Sequence, residues 1–171
     1  MVNLLEDDKV AGFKKAYDCG EFDLNTEKFI KEIQNMHITT KERNLSSDDI
    51  MRNITSLVDA LIQNQGVRSR IVEIKMMCTR TSTNLKFKIE SLTNYIQVKY
   101  SKELKSLSGT QAERKSFVQE TFNFATPILT KLQVLQDFCD VVINDIDQAS
   151  WCLKSIIDCV KIADEANRVV V

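Results

Sequence analysis

Ser108-Gly109-Thr110-Gln111-Ala112-Glu113 is the stretch on which the fold turns. Gly109 suits the left-handed conformation that ends a helix. Thr110, with Glu113 three residues later, spells a capping box that starts the next one. A long apolar stripe lies on either side of it. Upstream, Ile50, Ile54, Leu57 and Leu61 open a series that continues through Ile71, Ile74, Cys78, Leu85, Ile89, Leu92, Ile96, Leu104 and Leu107. Downstream run Val118, Phe122, Ala125, Leu129, Leu132, Leu135, Cys139, Val142, Ile146, Leu153, Ile156, Val160 and Ala163. Steps of three and four residues place each series on one helical face.

The pattern predicts an all-α chain: a long antiparallel helical hairpin over residues 46–171, turning near 108–110, preceded by short helices within 1–45. Ser46 and Asp49 form a plausible capping pair at the start of the first arm. Unbroken, that arm would run ~58 residues, or roughly 87 Å. Gly66 is its weak point, and the sequence leaves open whether the arm bends, breaks or runs on there. Pro127 sits inside the second arm and predicts a kink, or a fresh start capped by Thr126.

Folding one arm on the other pairs residues whose numbers add to about 217. Arg80 then falls near Asp137, Arg70 near Asp147, and Arg68 near Asp145 or Asp147, so opposite charges meet. Val58, Ile62, Phe87, Val98, Val134 and Val141 are left over and call for another partner. Residues 1–45 offer some cover. Thr26 precedes an amphipathic stretch with Phe29, Ile30, Ile33 and Met36, and a weaker one holds Leu4, Leu5, Val10, Phe13 and Tyr17. Asn44 to Ser47 reads as a loop. Self-association through helical faces would supply the remainder.

The bulk numbers agree with this reading. A chain of 171 residues, 43% hydrophobic and 27% charged, suits one soluble domain. Only 4 Gly and 1 Pro occur, too few for the turns of a many-stranded sheet. No apolar run approaches the ~20 residues that span a bilayer. The acidic start, Glu6-Asp7-Asp8, lacks the order of a signal peptide. Cys19, Cys78, Cys139, Cys152 and Cys159 are odd in number and show no CxxC spacing, which predicts reduced, buried thiols in a cytoplasmic protein. The single histidine, His37, has no ligand cluster around it, so no metal and no cofactor are expected. Adjacent carboxylates at Asp7-Asp8 and Asp48-Asp49 diverge by about 100° on a helix and cannot converge on a substrate. Phosphate-cradling glycine loops are absent, and the chain is expected to be no enzyme.

A net charge of −1 conceals an asymmetry. Residues 68–115 carry 11 basic and 4 acidic side chains, whereas both flanking segments have a net charge of −4. Setting aside the arginines paired along the hairpin leaves Lys86, Lys88, Lys99, Lys102, Lys105, Arg114, Lys115 and Lys131 in the half nearest the turn. Tyr95, Tyr100, Phe117, Phe122 and Phe124 share that half. Basic side chains neutralise phosphates and aromatic faces stack on unpaired bases, the two ingredients of a single-strand surface. The nucleic-acid candidates are therefore Lys86, Lys88, Tyr95, Lys99, Tyr100, Lys102, Lys105, Arg114 and Lys115. The same composition would also serve a solvated helix end with lysines for solubility and phenylalanines for core. Trp151 reads as core or oligomer contact.

The C-terminal helix carries a resemblance. Asp137-Phe138-Cys139, then Ile143 and Ile146, then Trp151, Leu153, Lys154 and Ile156 resemble, over roughly twenty residues, the C-terminal segment of the recombination mediator family of T4-like phages. That resemblance implies a protein that binds single-stranded DNA and helps a RecA-like recombinase displace single-strand-binding protein. It also implies a ring-like homo-oligomer built partly through the C-terminal helix, here at Phe138, Val142, Ile146, Trp151, Leu153 and Ile156. The family's basic and aromatic stretch best matches Lys86, Lys88 and Tyr95. The competing expectations are a helical scaffold acting only through protein contacts, and a small regulator of another protein.

Overall fold

A computed structural model describes residues 4–45, 54–106 and 109–169. It is all-helical, with no strand among the described residues. The α-helices are α1 (Asp8–Asp18), α2 (Thr26–Leu45), α3 (Ile54–Lys99), α4 (Ser101–Ser106), α5 (Gln111–Glu120) and α6 (Thr126–Val169), with single 3₁₀ turns at Leu4–Glu6 and Asn123–Ala125. The chain forms two compact units. One comprises Met1–Asn25 with Met77–Val134, the other Thr26–Met76 with Leu135–Val171.

Several local expectations change. The first arm does not break at Gly66: α3 runs through it for 46 residues. Glycine costs a helix only about 1 kcal/mol relative to alanine, and a Cβ at 66 would meet nothing within 4 Å, so the position is open surface. The interruption comes instead at Tyr100. It is slight, because Tyr100 N–H still donates to Ile96 O and Leu104 N–H to Tyr100 O, both at 2.9 Å. The second arm is split in two, the alternative to a kink at Pro127. It stops at Glu120, passes through the 3₁₀ turn and restarts at Thr126, which is already helical (φ −56°, ψ −42°) and not an extended cap. Pro127 thus occupies the first turn, where its missing N–H is no loss. Asn44 and Leu45, expected in a loop, belong to α2. Ser46, Asp49, Ile50 and Leu107 lie outside the described residues.

The capping box at the turn forms as expected. Thr110 is extended (φ −72°, ψ 165°). Its N–H donates to Glu113 Oε2 at 2.6 Å, and Glu113 N–H donates to Thr110 Oγ1 at 3.3 Å. Gly109 has φ +141°, outside the range of ordinary side chains, and a Cβ there would lie 2.6 Å from Glu113 Oε2.

In the unit of Thr26–Met76 with Leu135–Val171, α3 and α6 pair antiparallel. Leu57, Ala60, Leu153 and Ile157 form one cluster. Beyond it Asn64 Nδ2 donates to Ser150 Oγ, Arg68 Nε donates to Asp147 Oδ1 at 2.7 Å, and Lys75 Nζ donates to Asp140. Those numbers add to 214 or 215, close to the expected register. The Arg68 pairing is as anticipated. Arg70 is not: its guanidinium goes to Glu32 of α2 at 2.8 Å and to Glu73 one turn on at 3.1 Å. Arg80 and Asp137 belong to different units. Helix α2 adds Ile33, fully buried, and sets His37 3.0 Å from Asp145.

The other unit is organised around aromatic side chains. Leu4, Val10, Phe13, Phe22, Leu85, Ile96, Leu104, Val118, Phe122 and Ala125 form its buried cluster. Phe13 of α1 stands 5.8 Å from Phe22, 6.0 Å from Phe122 and 5.8 Å from Phe124, centroid to centroid. Tyr17 meets Phe124 edge-on at 5.0 Å. These tilted arrangements are the favoured ones for aromatic rings. The N-terminal segment is therefore core to its unit. Of the five thiols, only Cys78 and Cys139 are buried; Cys19, Cys152 and Cys159 are exposed, against expectation, and none of the five is in a disulfide.

The turn yields a test. Gly109→Ala forces a strained φ and pushes a methyl into the capping carboxylate, and should cost about 1–2 kcal/mol in urea unfolding; Thr110→Ala, which only removes the cap, should cost about 1 kcal/mol.

Candidate nucleic-acid interface

All nine nucleic-acid candidates fall in the unit of Met1–Asn25 with Met77–Val134. Composition within it is divided. Residues 77–134 carry 9 basic and 4 acidic side chains, and residues 1–25 carry 3 and 6. An acidic segment folded onto a basic one neutralises part of it, and the geometry identifies which part.

Asp7 is the centre of that contact. Its side chain is fully buried and caps α1, accepting from Lys9 N–H at 3.0 Å. It also accepts from Lys99 Nζ at 2.6 Å and from Tyr100 Oη at 2.9 Å. Hydrogen bonding to Lys99, opposed by burial and helped by Tyr100 and the Lys9 N–H, holds the Asp7 carboxyl down at about 2. The same contact raises Lys99 and Tyr100, each through its hydrogen bond to Asp7. Further along α3, Lys88 Nζ donates to Glu21 Oε1 at 2.6 Å and lies 4.7 Å from the Phe22 ring centroid. Lys9 and Lys99 flank the Tyr95 ring at 4.2 and 5.4 Å. Four of the nine candidates, Lys88, Tyr95, Lys99 and Tyr100, are thus engaged by the N-terminal segment.

The other five remain open. Lys86, Lys102, Lys105 and Lys115 are exposed, Arg114 is half-buried, and none is paired with a carboxylate among the described residues. Arg114 Nε donates to Thr110 O at 3.3 Å, which anchors its guanidinium beside the turn. Two grooves run between the α3–α4 face and α5. Gln97, Ser101, Leu104, Lys105, Gln111 and Arg114 line one of about 330 Å³. Lys86, Glu90, Thr93, Asn94, Lys115 and Gln119 are among the residues lining a second of about 270 Å³. Two cations and two amide side chains in each lining, with one carboxylate, Glu90, in the second, suit an anionic, hydrogen-bonding polymer. The amides went unremarked in the sequence; Gln111, three residues before Arg114, and Gln119, four after Lys115, were the available signal.

The aromatic half of the expectation changes more. Phe122 is buried, Phe124 packs against Phe13 and Tyr17, and Tyr95 and Tyr100 are half-buried beneath the N-terminal segment. These rings are core, as the alternative reading had it, and cannot present a face to a base. Exposed aromatic surface in this unit lies at Phe87 and Phe117.

The six oligomer candidates separate similarly. Val142, Ile146 and Leu153 are buried within their own unit, and Phe138 and Ile156 are half-buried. Trp151 is 68% exposed, which removes the core alternative for it. The same unit also exposes Val58, Ile62 and Met76 on α3 and Val141 and Ile162 on α6. Val58, Ile62 and Met76 lie within about 40° of one another on the helix at 100° per residue.

No described helix is long and apolar enough to cross a membrane. No protein-family model, curated protein or solved structure matches the chain.

The Asp7 contact predicts a pH dependence. A depressed folded-state carboxyl contributes stability that is fully present above its unfolded value of 3.8 and is lost as pH falls through about 2. Asp7→Asn should lower stability at neutral pH by about 1 kcal/mol or more through the weakened cap and ion pair. It should also flatten the acid limb between pH 4 and 2, read by urea midpoints at each pH.

Proposed function

We propose that this protein is a non-catalytic nucleic-acid-binding protein whose open basic grooves track the phosphates of a single strand, and that it works as a recombination mediator, helping a RecA-like recombinase displace single-strand-binding protein. The observation that carries the binding reading is the set of five basic side chains, Lys86, Lys102, Lys105, Arg114 and Lys115, left without carboxylate partners among the described residues in a unit where other lysines are paired. The mediator role rests on the resemblance of residues 137–156. The antiparallel pairing of α3 with α6 supports reading the chain as a helical hairpin that turns at Ser108-Gly109-Thr110. A homo-oligomer would set several such surfaces along one strand, and linked weak contacts then bind tightly.

Fluorescence anisotropy of a labelled single-stranded 20-mer across a salt series tests this. Binding should weaken linearly in log salt. Lys105→Glu/Lys115→Glu should reduce affinity at least ten-fold at low salt and flatten the slope by ~1.4, about 0.7 per lost phosphate contact on a single strand. Lys31→Glu/Lys161→Glu, the same charge change in the other unit, should act far less. Wild type that fails to bind at low salt removes the reading.

The second reading, a helical scaffold acting through protein contacts, is favoured by the exposed apolar residues Val58, Ile62, Met76, Val141 and Trp151. Both readings use them as an oligomer seam. Ile62→Glu/Trp151→Glu should lower the sedimentation coefficient to that of a monomer while leaving the helical circular dichroism intact, because neither side chain is buried in its unit.

A further inference from the structure

Of the aromatic rings expected of a single-strand surface, Phe122 is buried and Tyr95, Tyr100 and Phe124 are half-buried, yet Phe87, more exposed than Phe117, sits among the basic side chains. Phe87 is 70% exposed, and Lys86 and Lys88 flank it in sequence. At 100° per residue the two lysines project to opposite sides of the ring. On the α1 side Phe87 borders a groove of about 440 Å³ lined with Lys9, Gly12, Phe13, Ala16, Lys88 and Leu92. Its far wall is made of small side chains, and the space over Gly12 is open, with nothing within 4 Å of where a Cβ would be. Phe13 and Leu92 supply apolar surface, while Lys9 and Lys88 place positive charge at its edges.

We propose that Phe87 and this groove seat one unpaired base of a single strand, with the phosphates on either side of that base held by Lys86 and Lys88. A planar heterocycle gains from stacking on an exposed phenyl ring whatever its sequence. A base locked in a duplex cannot present its face to Phe87, so this seat gives the surface its preference for single strands; the polar grooves alone would read only charge. The flanking cations fit the occupant, since an apolar peptide anchor has no need of a lysine on either side. Glu21 is the built-in competitor at Lys88. That pair is about half-exposed on both sides, and such a pair biases an equilibrium by no more than about five-fold, so phosphate can displace it. Lys99 is different: its partner Asp7 is fully buried, and it stays with the N-terminal segment.

The inference rests on the nucleic-acid reading above, and the experiment keeps the two apart. Single-stranded dT20, a duplex of equal length and heparin, which has charge but no bases, are titrated against wild type, Phe87→Ala and Lys105→Glu/Lys115→Glu. Phe87→Ala should weaken dT20 binding about 5- to 150-fold, the effect of one lost stack, and leave heparin affinity and salt slope unchanged. In a Phe87→Trp/Trp151→Phe protein, dT20 should quench the new indole and heparin should not. Because the ring is mostly exposed, Phe87→Ala leaves the core intact. Unchanged dT20 affinity in Phe87→Ala, or an equal fall for dT20 and heparin, overturns the base seat. If the lysine variant loses binding in that case, the phosphate-groove reading survives without it. If wild type binds none of the three ligands, both fall together.

Discussion

The structure depends on the need of α3 to bury one apolar face along its length. Leu57, Ile71 and Ile74 do so in one unit and Leu85 and Ile96 in the other, each essentially inaccessible. Burying one such side chain contributes about 1.5–3 kcal/mol, against about 0–1 kcal/mol for an exposed ion pair. Apolar burial therefore decides that α3 is covered, and charge decides only where its neighbours stop. In one unit the cover comes from α6 and α2. In the other, α5, the start of α6 and the N-terminal segment supply it, which is why Val10 is as deeply buried as anything on α3 and Phe13 is buried too.

That division explains what the sequence made legible. Signals complete within a few residues were readable: the Gly109–Thr110–Glu113 cap, the stripe periodicities and the leftover apolar positions Ile62, Phe87 and Val98, all of which the structure leaves exposed. The Arg68–Asp147 pair was readable because turn position and charge both pointed to it. Arg70 was not, because Asp147, Glu32 and Glu73 were all candidates, and only the placement of α2 ranks them. Gly66 and Pro127 each left two readings open, and packing chose between them. A single glycine is a small penalty that a long packed stripe overrides, and a proline is harmless once the helix begins just before it.

The candidate interface was legible in charge and illegible in shape. Counting lysines pointed to one unit but could not reveal that Asp7 and Glu21, some 67 to 93 residues distant from their partners, return to occupy two of them. Aromatic composition was worse still as a guide. Phe and Tyr serve equally in cores and in stacking surfaces, and only long-range packing separates Phe124, held against Tyr17, from Phe87, which faces water. The discriminating fact is exposure, and exposure is a property of the whole fold.

One buried polar residue shows how the antiparallel pairing is kept in register. Asn64 is wholly inaccessible; its Nδ2 donates to Ser150 Oγ at 3.4 Å, and its Oδ1 meets no donor among the described residues. A leucine there would bury more apolar surface, so Asn64 is not placed for stability. Its effect is on the alternatives. Sliding α6 along α3 by seven residues preserves the apolar pattern, but sets Asn64 against Ile143 or Ile157 in place of Ser150. A buried amide facing only aliphatic side chains loses even its one hydrogen bond, at about 1–3 kcal/mol. One of those slips also brings Arg68 onto Lys154, and the other takes Lys75 from Asp140 to Gln133. A single polar residue within an apolar seam thereby selects one register among several that the stripe alone would accept, as asparagine does in coiled coils. The charge pairs on the rim, too exposed to hold the helices together, then act in the same direction by penalising the same slips.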